Sequence, residues 1–451
     1  MKVNKDELLN KYFPEALEKL KELIRIPSFT MDSTPGSPVP TDVKKCLENV
    51  IELCKSFGLK TFIAPDHRYG YADGGTGEKL FGILCHLDVV PGGDLTKGNT
   101  APFEPIEENG RLIGRGSYDD KGPTTMNLYA AKYLMDNGFE PDYTVRFIFG
   151  TSEETTGECM KAYVERERIV DLGYVPDANF PVVYAEKGIV HGDVKGDFVS
   201  PFTLKGGEAY NAVCDLVYYN GPKMDEITNF LTENGIDVRD EDGKLAIRGQ
   251  SAHGSFPEKG DSAITGALEA INEVGIYHPI AKFASEYLHK QYDFKGILGD
   301  LTDETGSTTV CNGMIDINKT NFNLAFDFRI PCTRNPQTDV VDKLIEFFPT
   351  KINAKFALHE IEDRVFLDKN SDTIKNIMNV YREVTGDMKS EPIAIGGGTF
   401  AKSMPNLVAF GAEFDQETTS MHTNNESVAI DELKKMMEIY AKSIAILTKE
   451  K

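Results

Sequence analysis

Short apolar runs that lead into an acid or a histidine recur through the first part of this chain and return near its end. Phe81–Cys85 runs into His86-Leu87-Asp88, and Thr144–Phe149 is followed by Glu153-Glu154. Asp177 stands before Val182–Ala185, and His422 follows Leu407–Gly411. Between the runs lie stretches with apolar residues at helical spacing, over 5–26, 42–57, 123–137, 156–168 and 430–448. Strands alternating with helices predict a mostly parallel sheet covered on both faces, a three-layer αβα arrangement. In such open sheets, ligands bind at the carboxyl ends of the strands.

The alternation breaks after about residue 190. Residues 193–384 have strands and helices of their own and no acidic pair of the earlier kind. Asn321–Ile330 alternates polar and apolar residues with period two, which predicts a half-exposed antiparallel strand. A chain of 451 residues also exceeds what one hydrophobic core usually supports. The expected organisation is a catalytic domain in two parts, 1–192 and 385–451, interrupted by an inserted α+β domain, 193–384, with an antiparallel sheet. Gly, Pro and Ser residues predict a loop at 33–40.

Composition excludes some partners. With 49 Lys+Arg against 71 Asp+Glu, the net charge of −22 repels nucleic acid and anionic membranes. No apolar run approaches the ~20 residues of a membrane span. The opening MKVNKDELLNKYF lacks the apolar stretch of a signal peptide. Seven cysteines without a Cys-x-x-Cys pair read as reduced thiols, so a cytoplasmic protein is expected.

The acids and imidazoles form the mixture that a hydrolytic metal site requires: ligands for the ions and a spare carboxylate to take a proton from water. Residues two apart on a strand face the same way, so Asp88 is placed to hydrogen-bond the His86 ring and fix its tautomer. In Gly114-Arg-Gly-Ser-Tyr-Asp119-Asp120-Lys-Gly122, glycines allow a tight path before two acids, one of which can bridge two ions. Adjacent carboxylates at 153 and 154 repel unless a cation or a proton sits between them. We assign Glu154 to metal and Glu153 to the general base. Taken singly, each feature also fits a plainer reading: a surface histidine, a solvated turn, or acids at a helix N-terminus. Their strength is collective.

Together, Gly-Ile-Leu-Cys-His86-Leu-Asp88, Gly-Arg-Gly-Ser-Tyr-Asp119-Asp120, Ser-Glu153-Glu154, Pro-Asp177-Ala-Asn-Phe-Pro and His422-Thr-Asn-Asn-Glu resemble the metallopeptidase family of aminoacylase-1, carnosinase and carboxypeptidase G. The Asp177 stretch and Ala185-Glu-Lys-Gly188 resemble its bacterial dipeptidase branch, the PepV type. The resemblance covers nearly the whole chain, in matching order. It implies one ion held by His86, Asp119 and Asp177, and a second held by Asp119, Glu154 and His422. It further implies that Asp88 orients His86, that Glu153 is the base, and that the Asp119–Asp120 peptide is cis. In the inserted domain, read as a lid, Ser251-Ala-His253-Gly-Ser255 resembles the motif whose histidine stabilises an oxyanion. Asn211, Arg329 and the Gly397, Gly398 and Thr399 of a glycine-rich loop match its substrate-binding positions. Asn211-Ala-Val-Cys214-Asp215 departs from the commoner Asn-x-Val-Pro-Asp.

The expected activity is hydrolysis of dipeptides, β-alanyl or Xaa-His dipeptides among them, with a small peptide as partner and a monomeric state. Two divalent ions are implied. Zinc suits mixed imidazole–carboxylate ligands, and manganese or cobalt fits them too. An N-acyl-amino-acid deacylase or tripeptidase of the same family, a non-catalytic metal-dependent binding protein, and a structural or storage protein are the alternatives.

Overall fold

A computed structural model of the chain describes residues 1–29, 38–93, 100–415 and 419–450. The loop expected at 33–40 lies, from 33 to 37, outside the described residues. The chain divides into two compact units: Met1–Tyr184, Leu367–Ile393 and Thr399–Lys451 form the first, and Ala185–Phe366 with Ala394–Gly398 the second. These limits differ from the expected 193 and 384. The strand Gly188–Asp197 runs through residue 192 and pairs along its whole length with Asn321–Ile330 of the second unit. The helix Asp372–Thr385 packs instead on Ile430–Leu447 of the first.

In the first unit, the sheet runs in the order Lys60–Ile63, Tyr69–Gly74, Tyr143–Gly150, Lys79–His86, Leu172–Val175, Leu407–Ala409, and then Val183 of the strand Val183–Glu186. The four strands from Tyr143–Gly150 to Leu407–Ala409 are parallel, while the flanking pairs are antiparallel. The parallel character is therefore concentrated at the centre. There, strands buried on both faces must be apolar throughout, as Leu80–Cys85 is. The helix Lys121–Asp136 packs on both Ile430–Leu447 and Phe13–Ile24, and Thr41–Ser56 lies against Lys60–Ile63 and Tyr69–Gly74. The resulting α/β layers place the ends of the parallel strands where the acids and histidines stand.

The second unit is built on an antiparallel sheet. Its order is Asp237–Glu241, Lys244–Arg248, Leu216–Asn220, Thr203–Gly206, Ile315–Ile317, Asn321–Ile330, Gly188–Asp197 and Lys355–Glu362. The strand Asn321–Ile330 is antiparallel as expected, but it is far more buried than half. Phe322, Leu324, Phe326, Phe328 and Ile330 enter the unit's core. On the other face Ala325, Asp327 and Arg329 are also buried, because the two charged residues pair with each other.

A close approach joins two site-bearing strands. Gly82 and Gly173 are partners across Lys79–His86 and Leu172–Val175. A Cβ on Gly173 would fall 2.2 Å from the Gly82 carbonyl oxygen and 2.9 Å from Leu407 Cδ2. Because both neighbours are held in the sheet, Gly173→Ala is expected to cost about 1–3 kcal/mol of stability, read from its urea midpoint. An unchanged midpoint would show that the strands can separate freely.

Candidate metal centre

His86 closes the strand Lys79–His86 with its side chain buried, and Asp88 follows two residues on. The His86 Nδ1–H donates to the main-chain carbonyl of Asp88 at 2.9 Å. The Asp88 carboxylate stands 3.7 Å from that nitrogen and has another task. Its Oδ1 accepts from the Glu153 amide and its Oδ2 from the Glu154 amide, each at 3.1 Å. Asp88 thus fixes the ring through its backbone and the acidic pair through its side chain, a division that strand periodicity alone could not reveal.

With Nδ1 occupied by this bond, the ring turns its Nε2 toward carboxylate oxygens; burial lowers its proton affinity, but the neighbouring carboxylates of Asp177, Asp119 and Asp88 outweigh burial and raise it well above the usual imidazole range. Asp119 Oδ1 lies 2.9 Å away and Asp177 Oδ2 lies 3.5 Å away. A lone pair buried against two anions is repelled unless a cation lies between them, whether proton or metal. The same pattern repeats at His422. Its Nε2 is 2.9 Å from Asp119 Oδ2 and 3.2 Å from Glu154 Oε1. Ligand atoms of His86, Asp119 and Glu154, and likewise of His86, Glu153 and Asp177, lie within 4.8 Å of one another. The second grouping puts Glu153 beside the ligands, which suits a base that must reach the same water as well as it suits a ligand.

The protonation pattern without metal follows from this crowding. Burial pushes the Asp119 carboxyl up, but hydrogen bonds from His422 and His86 outweigh it and hold it well below the usual range. Those to Asp119 and Glu154 raise His422 to about 11. Burial, then the Asp119 charge, raises Glu154 to about 7. Burial, then the Asp177 charge, pushes Glu153 well above the ordinary carboxylate range. Protons occupy positions that dications suit better, so the residues present fit a metal centre of mixed imidazole–carboxylate type.

Local structure delivers the remaining groups. Gly116 adopts φ +86°, which turns the chain into Asp119, and the Asp119–Asp120 peptide is cis. Buried Asp120 points its Oδ2 away from the ligands, accepting from the His86 amide and the Thr124 hydroxyl, both at 3.1 Å. Asp177 precedes the short pairing of Ala178–Asn179 with Ala412–Glu413. Glu426, which the sequence reading left without a role, is buried beneath Asp119. Its place in His422-Thr-Asn-Asn-Glu426 was the available signal.

The other predicted site residues lie in the second unit, apart from Thr399. Gly254 N–H donates to the Asn211 carbonyl at 2.7 Å, and Ala212 bridges to His253. Ser255 N–H donates to His253 Nδ1 at 3.2 Å, which leaves the hydrogen of the neutral, exposed ring on Nε2. Arg329 is 3% exposed. Its Nε and Nη2 meet the Asp327 carboxylate, and its Nη1 donates to the Gly396 carbonyl at 3.0 Å. Gly396 abuts Ser255, so the glycine-rich loop that carries Gly397 and Gly398 meets the His253 turn. The Thr399 hydroxyl caps the turn Phe400–Ser403 of the first unit by accepting from the Ala401 amide.

An α/β unit with this cluster at its strand ends, in a chain with a separate antiparallel unit, defines a metallopeptidase. The chain belongs to Peptidase family M20/M25/M40, whose profile matches residues 82–445. It is 32% identical to a Staphylococcus epidermidis protein named "Putative dipeptidase", over 98% of this chain and 99% of that one. Two solved structures share the fold. The di-peptidase Dug1p of Saccharomyces cerevisiae matches with a TM-score of 0.62 at 13% identity, over 99% of this chain and 98% of its own. Human carnosine dipeptidase 1 matches with a TM-score of 0.58 at 15% identity, over 99% and 100%. Among the described residues, no helix is long and apolar enough to cross a membrane.

The raised His422 sets the sign of a pH effect. A ligand imidazole must be neutral, so metal binding below pH ~11 expels its proton, and below about 7 that of Glu154 as well. Calorimetry at pH 8 in buffers of different ionisation heat should show net proton release on metal binding, His422 contributing one proton, with affinity rising as the pH rises. Binding without proton release would contradict the His422 assignment.

Proposed function

We propose that this chain is a two-ion dipeptidase that hydrolyses the peptide bond of short peptides with a free carboxyl terminus. The reading rests on one observation above the others: an adjacent acidic pair, clamped by Asp88, beside two imidazoles that share one carboxylate. Relatives named as dipeptidases support the substrate class.

In this reading His86, Asp119 and Asp177 hold one ion, and Asp119, Glu154 and His422 the other, with zinc the best fit to the donors and manganese or cobalt also accommodated. When bound, the ions supply Lewis acidity to the scissile carbonyl and make water acidic enough to attack at neutral pH. Glu153 takes the proton of the attacking water at a carboxylate oxygen and returns it to the departing nitrogen. The Asp88 clamp keeps Glu153 and Glu154 in fixed relation, so one residue binds while the other remains free to exchange its proton. His253 offers its Nε2–H to the developing oxyanion. Asn211, Arg329, Gly397, Gly398 and Thr399 complete the substrate-binding set. The Arg329 fork is already engaged by Asp327 and its Nη1 by the Gly396 carbonyl, so its contribution to a substrate carboxylate would come through its charge. The chain is proposed to act as a monomer in the cytoplasm.

Glu153→Gln should lower kcat by about 10²–10⁴-fold while metal content stays that of the parent protein. His253→Ala should lower kcat by about 10²–10³-fold with little change in metal content. Unchanged kcat in either variant would remove that residue from the mechanism. A panel of α-dipeptides, β-alanyl-histidine, tripeptides and N-acetylated amino acids tests the substrate class. Turnover confined to acetylated amino acids would replace the dipeptidase reading with a deacylase one.

A further inference from the structure

We propose that Glu426 and Arg115 form a buried brace that sets the bridging carboxylate Asp119 and the loop of His422 in register, and so completes the ligand set Asp119, Glu154 and His422. The proposal rests on the two-ion reading above and assigns positioning residues that touch no ion themselves.

Glu426 is 2% exposed, and the chain from 115 to 119 wraps around its carboxylate. Oε1 accepts from the Tyr118 amide at 2.8 Å and from the Asp119 amide at 3.1 Å. Oε2 accepts from the Gly116 amide at 3.0 Å and from Arg115 Nη1 at 2.8 Å. Three amides and a guanidinium on one carboxylate satisfy a charge that burial would otherwise make very costly. They also pin the backbone of Asp119, and with it the direction of the shared ligand.

The other end of the brace reaches His422. Arg115 Nη2 donates to the Thr423 carbonyl at 2.9 Å and to the Pro91 carbonyl at 3.1 Å. Thr423 directly follows His422. Ser420 Oγ donates to the Ser427 carbonyl at 2.7 Å and accepts from the Ser427 amide at 3.2 Å, closing this loop at its base. Beyond the loop, Ser427–Ala429 pairs with Arg111–Ile113, and Gly114 N–H continues that ladder onto the Glu426 carbonyl at 2.9 Å.

The two imidazoles differ in what holds them. His86 ends a central strand and is 1% exposed, so the sheet positions it. The His422 side chain is 56% exposed, and its residue sits at φ +58°. Packing does not position such a side chain; the hydrogen-bonded straps through Arg115 and Glu426 do. Loss of the brace disturbs the shared Asp119 but releases only the loop of His422, so it should weaken the ion at His422 more than the ion at His86 and Asp177. Glutamine at 426 keeps the shape but turns an NH2 group toward donors, so it removes acceptors without leaving a cavity.

The test is a stepwise cobalt(II) titration followed by visible absorption, with metal counted after gel filtration, on the parent protein, Glu426→Gln, Arg115→Lys and His422→Ala. The parent should take up two ions. Glu426→Gln should bind the second about 10–100-fold more weakly, approaching the spectrum and count of His422→Ala, while the first ion is weakened much less. Arg115→Lys should show the same selective loss, and it serves if the glutamine variant does not fold. The metal-free variant read should still unfold in one cooperative transition, at a melting temperature a few degrees below that of the parent because buried donors lose their acceptor. Two ions bound with parental affinity in a folded brace variant, or equal weakening of both ions, would overturn the brace. A parent protein that takes up fewer than two ions would overturn the two-ion reading itself.

Discussion

Asp119 presents one carboxylate oxygen to His86 and the other to His422, each at 2.9 Å. Those two imidazoles stand 336 positions apart in sequence (422 less 86), and each is met by a further carboxylate, Asp177 or Glu154. Bringing three carboxyl groups and two imidazoles together in a buried cluster is unfavourable for folding on its own. The chain accommodates it by placing compensating charge and dipoles close by: amides of 116, 118 and 119 on Glu426, Arg115 beside it, and the Asp88 clamp on the 153 and 154 amides. These bonds hold the ligand backbones in place from outside the cluster, which reduces the reorganisation that binding a cation requires.

The architecture follows from this need. Parallel strands end together at one edge of the sheet, so His86 and the turns that carry Glu153 and Asp177 converge without long connections. His422 arrives from the C-terminal part through a loop rather than a strand end, which is why it depends on hydrogen-bonded straps. In the second unit, Asp327 and Arg329 hold each other in the buried face of a central strand. Gly254 lies so close to Asp327 that a Cβ there would come within 2.4 Å of its carboxylate, so the turn carrying His253 rests on that ion pair.

Much of this could be read before any coordinates. The apolar runs marked the strands at 79–86 and 143–150, and helical spacing marked 121–136 and 430–447 to within about two residues. Tyr69–Gly74 escaped notice because Tyr-Gly-Tyr-Ala-Asp-Gly has no apolar run, and Leu172–Val175 because it has four residues with a glycine among them. The gathering of His86, Asp119, Glu153, Glu154, Asp177 and His422 was legible through the order of their motifs. The task of the Asp88 side chain was not, because period-two logic says which face a residue shares and nothing of which amide it meets. Glu426 was hidden for a similar reason: among Thr-Asn-Asn, a glutamate reads as a solvated turn until the fold buries it. The burial of Asp327 and Arg329 was equally invisible, since each cancels the polarity that made the strand look half exposed.

The central claim is that Asp119 is shared between two cations. Anomalous scattering from crystals of the full chain soaked in zinc, collected on both sides of the zinc absorption edge, tests it directly. The account predicts two peaks, one against each oxygen of the Asp119 carboxylate, the first also touching His86 and the second His422. A single peak, or two peaks of which one does not touch Asp119, would contradict it.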